Sequence, residues 1–237
     1  MACTWSKSAV TATRSALVPQ RDDERAAAMA AYMKDVAPFL GIPAPERRRA
    51  LRTAWRTMPK PSSDDLGAAS LDLVALPERE FHYGAYDLID EFIDCADEYF
   101  LDAYVTELLL ATPWWDTVDG LVNAAVSPLC RRNDADWLID EWSQSGDRWL
   151  VRAAIGHQRG WKAQTNVGRV LDLCDQHWAD REFFVAKAIG WALRDLAWID
   201  ATAVQYFLDA HPETNRVAVR EAQRGLTARR CASENDH

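Results

Sequence analysis

Four residues separate Trp115 from Asp119 in the segment Thr112-Pro113-Trp114-Trp115-Asp116-Thr117-Val118-Asp119. A Thr followed by Pro is a helix start, and a spacing of four puts the indole and the carboxylate on one helix face, a turn apart. An aromatic face beside an acceptor-only carboxylate, near the positive end of a helix, suits a cation or a centre that becomes cationic during a reaction. The plainer alternative is a helix N-terminus with a core Trp and a surface Asp.

A second set of residues points to anions. At about 100° per residue, Val185, Ile189, Ala192 and Leu196 form one stripe of a helix, and Lys187, Trp191, Arg194 and Trp198 form another on the opposite side. On the segment 147–160, Arg148, Arg152 and Arg159 align on one side, while Leu150, Ala153, Ala154 and His157 occupy other positions. A stripe of guanidiniums suits phosphate oxygens; ordinary solubilising charge is the competing explanation.

Composition narrows the classes open to such residues. The chain has 237 residues, 49% of them apolar, enough for a sizeable core in one large domain or a repeat array. No stretch approaches the roughly 18 uncharged apolar residues a membrane span needs, since even Leu108–Trp115 is short and lies between Glu107 and Asp116. Cys3, Cys95, Cys130, Cys174 and Cys231 are odd in number and contain no Cys-x-x-Cys pair, which fits a reducing cytoplasm better than a disulfide framework or a zinc site. His82, His157, His177, His211 and His237 lack metal-ligand spacing, so a metal-dependent hydrolase is disfavoured. The net charge of −9 argues against nonspecific coating of nucleic acid, yet the cations are clustered: Arg47, Arg48, Arg49, Arg52 and Arg56; Arg131 and Arg132; Arg148, Arg152, Arg159 and Lys162; Arg194; Arg216, Arg220 and Arg224. The first 21 residues hold Lys7, Arg14 and Arg21 and no acid, a pattern that fits a weakly amphipathic first helix or arm better than a targeting segment.

The elements that must position these groups are helices. Helical patterning is expected near 24–40, 45–58, 64–76, 79–95, 98–111, 113–131, 134–144, 147–160, 166–178, 181–199, 201–210 and 215–226, with breaks at Pro43 and Pro45, Pro59 to Ser63, Ser145 to Asp147, and His211-Pro212. Strand signals are absent. Helices of this length with short connections predict an all-α fold, a short α-solenoid of stacked antiparallel pairs resembling HEAT repeats, with a concave face. Residues 1–24 are expected as an arm or first helix, 25–226 as the repeat domain, and 227–237 as a polar tail.

Five blocks, in order, resemble the AlkD family of alkylpurine DNA glycosylases, which are built from HEAT-like repeats. They are Tyr32-Met33-Lys34 with Phe39-Leu40-Gly41-Ile42 and Pro45-Glu46-Arg47-Arg48; Leu76-Pro77-Glu78-Arg79-Glu80-Phe81; Trp114 through Asp119; Trp149-Leu150-Val151-Arg152-Ala153-Ala154-Ile155; and Lys187-Ala188-Ile189-Gly190-Trp191-Ala192-Leu193-Arg194. The resemblance runs from about residue 25 to 225. It implies that Asp119, Trp115 and Trp191 line a catalytic cleft and that Arg152 and Arg194 hold the DNA backbone. Tyr32 matches a cleft tyrosine; Lys187, Arg148, Arg159 and Lys162 are further candidates for DNA contact. A family lysine at the end of the Arg152 helix is replaced by Gly160, with Arg159 and Lys162 beside it. The resemblance also implies contact with the lesion's sugar and backbone while the base stays in the duplex.

The chemistry can be argued from the residues themselves. Breaking an N-glycosidic bond passes through an oxocarbenium-like sugar, which one carboxylate can stabilise while orienting or deprotonating water. A cationic alkylpurine departs as a neutral base, so no second acid is required. The expectation is a monomeric, cofactor-free and metal-free cytoplasmic DNA glycosylase that releases 3-methyladenine and 7-methylguanine from duplex DNA and leaves an abasic site. No lysine is placed as a Schiff-base nucleophile, so strand cleavage is not expected. The alternative is a noncatalytic HEAT-like scaffold that binds DNA or protein through the same concave face.

Overall fold

The computed structural model describes residues 4–211 and 215–235, with side chains as far as residue 232; among them every regular element is helical. The chain divides into two compact units, Met1–Val126 and Ser127–His237.

The first unit opens with α1 (Thr4–Leu17), which is a packed helix. Ala9, Thr13 and Leu17 are buried on one face, Trp5 Nε1 donates to the Pro59 carbonyl at 2.7 Å, and Trp55 Nε1 donates to Thr13 Oγ1 at 3.1 Å. Residues 4–17 are thus packed into the unit as its first helix. α2 (Asp23–Tyr32), α3 (Ala44–Trp55), α4 (Ser63–Val74) and α5 (Arg79–Glu91) follow, then α6 (Thr106–Ala111) and α7 (Trp115–Leu121). Asp22 caps α2 by accepting from Arg25 N at 3.0 Å, and Ser62 with Asp65 forms the capping box of α4, each satisfying otherwise orphaned N–H groups. The core between α1, α3, α4 and α5 holds Leu51, Trp55, Leu66, Leu73, Leu88 and Ile89.

Several elements of this unit differ from the sequence expectation. α2 stops at Tyr32 instead of running to about residue 40, because Lys34 and Asp35 adopt left-handed backbone (φ 61° and 54°) and Asp35 N closes on Ala30 O at 2.8 Å. α7 begins at Trp115, with Trp114 in extended backbone as its N-cap, rather than at Thr112-Pro113. One side chain sets that start: Thr117 Oγ1 accepts from Trp114 N at 3.2 Å and donates to the Thr112 carbonyl at 3.0 Å. Turns of π-helix, Leu101–Val105 before α6 and Val122–Val126 after α7, interrupt stretches expected as regular α-helix.

The second unit contains α8 (Ser127–Arg132), α9 (Asp136–Gln144), α10 (Arg148–Ile155), α11 (Val167–Gln176), α12 (Phe183–Leu196), α13 (Ala201–Ala210) and α14 (Arg216–Asn235). Asp147 caps α10 by accepting from Trp149 N at 2.8 Å and Leu150 N at 3.1 Å. Sequence patterning expects this helix to reach residue 160, but it ends at Ile155. The turn beyond it is held by two buried side chains. His157 Nδ1 donates to the Ala154 carbonyl at 2.8 Å, Gln158 Nε2 donates to His157 Nε2 at 3.1 Å, and Gln158 Oε1 accepts from Asn166 N at 2.7 Å. α14 continues to Asn235, past the expected tail boundary at 226, through a run rich in Ala, Arg and other strong helix formers. It packs tightly on α12 through two glycines: a Cβ on Gly190 would lie 2.8 Å from Glu221 Cβ, and one on Gly225 would lie 2.7 Å from the Arg194 carbonyl oxygen.

Candidate functional site

In the first unit the candidate groups sit on α7. Its two carboxylates have different surroundings. Asp116 is held by Arg79, whose Nη2 donates to Oδ1 at 2.5 Å and whose Nε lies 3.4 Å from Oδ2, and it accepts a hydrogen bond from the Tyr83 hydroxyl. Arg79 is only 2% exposed and also reaches the Thr112 carbonyl at 3.4 Å and Thr117 Oγ1 at 3.3 Å. Burial, with the Asp116 carboxylate beside it, pushes the Tyr83 phenol well above its ordinary pKa, so it stays a donor. The buried Arg47 guanidinium stacks 4.7 Å from the same ring and pairs with Asp87 at 3.0 Å. Asp116 is thus a structural ion fixing the start of α7 to α5.

Asp119, three residues on, is half-buried on the face it shares with the half-buried Trp115. Trp115 packs with Trp114, Tyr86, Met29 and Ala30 against the cluster of Ala26, Met33, Phe39 and Tyr83. α2 therefore lies beside the Trp115 side of α7, and its last residue, Tyr32, is 75% exposed. The loop after α2 is anchored by Glu80. This fully buried carboxylate accepts from the backbone N–H groups of Leu40 (2.8 Å), Gly41 (2.8 Å) and Ile42 (3.0 Å).

In the second unit the candidates gather on one indole. Around the Trp191 ring stand Arg152 at 5.1 Å, Arg159 at 5.2 Å, Lys187 at 5.4 Å and Arg194 at 5.7 Å from the centroid. They come from α10, from the turn after it, and from α12 itself. Each contact is favourable by roughly 0.5–2 kcal/mol, but like charges gathered round one ring repel each other, so the group needs anionic help. Glu221 on α14 supplies it. Its carboxylate, 2% exposed, takes Lys187 Nζ at 2.9 Å, Arg194 Nη1 at 3.4 Å and Arg224 Nη1 at 3.0 Å. The hydrogen bond from Lys187, reinforced by the nearby positive charges and opposed by burial, lowers the Glu221 pKa.

Not every candidate joins this cluster. Arg152 does, but it is 3% exposed and donates to the Phe184 carbonyl at 2.7 Å, so part of its guanidinium serves the packing of α10 on α12. Arg148 pairs instead with Glu182 at 3.5 Å and lies 5.2 Å from the Trp149 ring. The expected straight stripe of Arg148, Arg152 and Arg159 is not formed, because α10 ends before Arg159, which reaches Trp191 from the turn. Lys162 is exposed at the start of a short 3-10 turn, and Trp198 is half-exposed at 51%. Gly160, where the resembled family has a lysine, adopts φ +80°, backbone that a lysine side chain strains to match. Among the described residues no group of three or more His, Cys, Asp and Glu side chains has the geometry to hold a metal ion, and no helix is long and apolar enough to cross a membrane.

Arg79, Asp116, Tyr83 and Glu221 are not legible as functional support from composition or periodicity. Arg79 and Glu80 lie inside the Leu76–Phe81 block, and Glu221 is the lone acid within the run of Arg216, Arg220 and Arg224; those were the available signals.

An all-helical fold carrying an indole–carboxylate helix and a cation-ringed tryptophan defines a class, and comparison supplies which one. The chain belongs to the DNA alkylation repair enzyme family, whose model matches residues 13–226, a span that holds all five sequence blocks and begins inside α1. Among solved structures it is similar to one described as a predicted DNA alkylation repair enzyme from Enterococcus faecalis, with 28% identity over 85% of this chain and 94% of that chain and a TM-score of 0.76. No curated protein matches it significantly. The fold is accordingly the helical-repeat fold of these enzymes, and the role of the chain lies in the repair of alkylated DNA.

Proposed function

We propose that the protein is a monofunctional DNA glycosylase that hydrolyses the N-glycosidic bond of cationic alkylpurines, 3-methyladenine and 7-methylguanine, in duplex DNA and leaves an abasic site. The observation that carries this reading is the division of labour on α7: Arg79 and Tyr83 occupy Asp116 as an anchor, while Asp119 shares a face with Trp115. In this reading the C1′–N bond breaks with its electron pair going to the already cationic purine, which leaves neutral. Asp119 stabilises the oxocarbenium-like sugar and takes the proton of the attacking water. Trp115 offers an aromatic face to the developing charge, and Trp191 is assigned the same role. Arg194, Arg159 and Lys187 grip backbone phosphates, with Arg152 in the same positive field and Arg148, Lys162 and Tyr32 as outlying contacts. The lesion is engaged through its sugar and backbone. Monomeric state and cytoplasmic location belong to the same proposal.

Selectivity tests it. With no acid assigned to protonate the leaving base, 7-methylguanine is expected to be released in single-turnover reactions, and uracil in an otherwise identical duplex is expected to persist. Efficient uracil release refutes the reading. Release of neither base, with DNA binding retained, favours the noncatalytic scaffold.

A further inference from the structure

We infer that Glu221 is a positioning residue for DNA binding: a buried carboxylate on α14 that holds Lys187 and Arg194 at the Trp191 ring, ready for phosphate. The inference rests on the proposal that these cations contact DNA.

Three facts converge on it. Glu221 is almost completely buried, yet its carboxylate pairs with three cations, Lys187, Arg194 and Arg224, the first two of them members of the Trp191 ring. The backbone brings it there deliberately close: Gly190 leaves no room for a Cβ against Glu221, and Gly225, one turn along α14, leaves none against the Arg194 backbone. Larger residues at either glycine push the carboxylate away from the cations. Finally, four positive groups around one indole repel each other in the free protein. A single fixed anion behind them lets Lys187 and Arg194 keep one arrangement instead of fanning into solvent. The order is then established before DNA arrives, so binding does not have to supply it.

The assignment predicts a sign opposite to simple electrostatics. Glu221→Gln makes the protein one charge more positive, which by bulk attraction alone tightens DNA binding and steepens its salt dependence. Positioning predicts the reverse: weaker binding to an undamaged duplex, by about tenfold, the size of one lost charge-assisted hydrogen bond. Fluorescence anisotropy across a salt series reads this directly. In a Lys187→Ala, Arg194→Ala background, Glu221→Gln is expected to cost nothing further, whereas a general packing defect still adds its loss. Unchanged or tighter binding by Glu221→Gln overturns the assignment, as does an added loss in that background. If Lys187→Ala and Arg194→Ala themselves leave binding unchanged, the phosphate reading fails first; if they weaken it and Glu221→Gln does not, only the positioning role falls. Should Glu221→Gln not fold, Glu221→Asp makes the comparison at constant charge by withdrawing the carboxylate, and wild-type affinity there overturns the proposal.

Discussion

Two aspartates three residues apart illustrate how burial and partners divide chemical roles. Asp116 faces a guanidinium that is 2% exposed, so Asp116→Asn leaves an uncompensated buried charge and is expected to cost about 3–5 kcal/mol of stability, read by urea unfolding. Asp119 lies on the half-buried face of the same helix. Asp119→Asn keeps the side-chain shape and removes the charge, so under the glycosylase proposal it is expected to lower single-turnover excision at least about a hundredfold, near 2.7 kcal/mol in barrier, with DNA affinity and urea midpoint preserved. Equal damage to folding from both substitutions contradicts this division. Spacing marks Asp119 through Trp115, but the partners of Asp116, Arg79 and Tyr83, lie 37 and 33 positions upstream and are brought to it by the fold.

At the scale of elements, the early end of α10 does the most to arrange the second cluster. If the helix ran on to residue 160, Arg159 would continue its axis; the turn instead sends it to Trp191. His157 holds that turn as a neutral imidazole, donating through Nδ1 and accepting through Nε2, and burial pushes its pKa from 6.5 down to about 4. Because the folded value lies below the unfolded one, the unfolded chain binds the extra proton. The contribution is complete above about pH 6.5 and is lost as the pH falls toward 4, amounting to about 2 kcal/mol between pH 7 and pH 5. Unfolding free energies measured across that range are expected to fall with acidity, and His157→Gln is expected to flatten the slope. An unaltered slope in the variant places the sensitivity elsewhere. His82 and His177, also lowered by burial, contribute in the same direction.

At the scale of the whole molecule, charge is both low and unevenly spent. A chain with net charge −9 has little nonspecific attraction for DNA, so its affinity depends on a few placed cations. Arg194→Ala is therefore expected to weaken binding to damaged and intact duplex alike and to reduce the slope of log Kd against log salt by about one. An unchanged slope assigns Arg194 to packing with Glu221 alone. Arg152 is a poorer subject for the same experiment, since its removal also deletes the hydrogen bond to the Phe184 carbonyl that ties α10 to α12.

Much was written locally in the sequence. The helical character of the chain, most helix positions, the pairing of Trp115 with Asp119 and the mixed indole–cation face of α12 follow from 3.6-residue periodicity and capping residues, which act within a turn or two of chain. The five blocks carried the family. What sequence could not give is anything that depends on residues meeting across tens of positions: Arg79 and Tyr83 closing on Asp116, Glu80 holding the Leu40–Ile42 loop, and Glu221 reaching Lys187 and Arg194. Helix ends depart from local expectation where a left-handed pair at Lys34 and Asp35 or the buried His157–Gln158 turn overrides favourable local propensity. Periodicity tells which side of a helix a residue occupies; the energy of a buried charge is set by what the fold packs against that side.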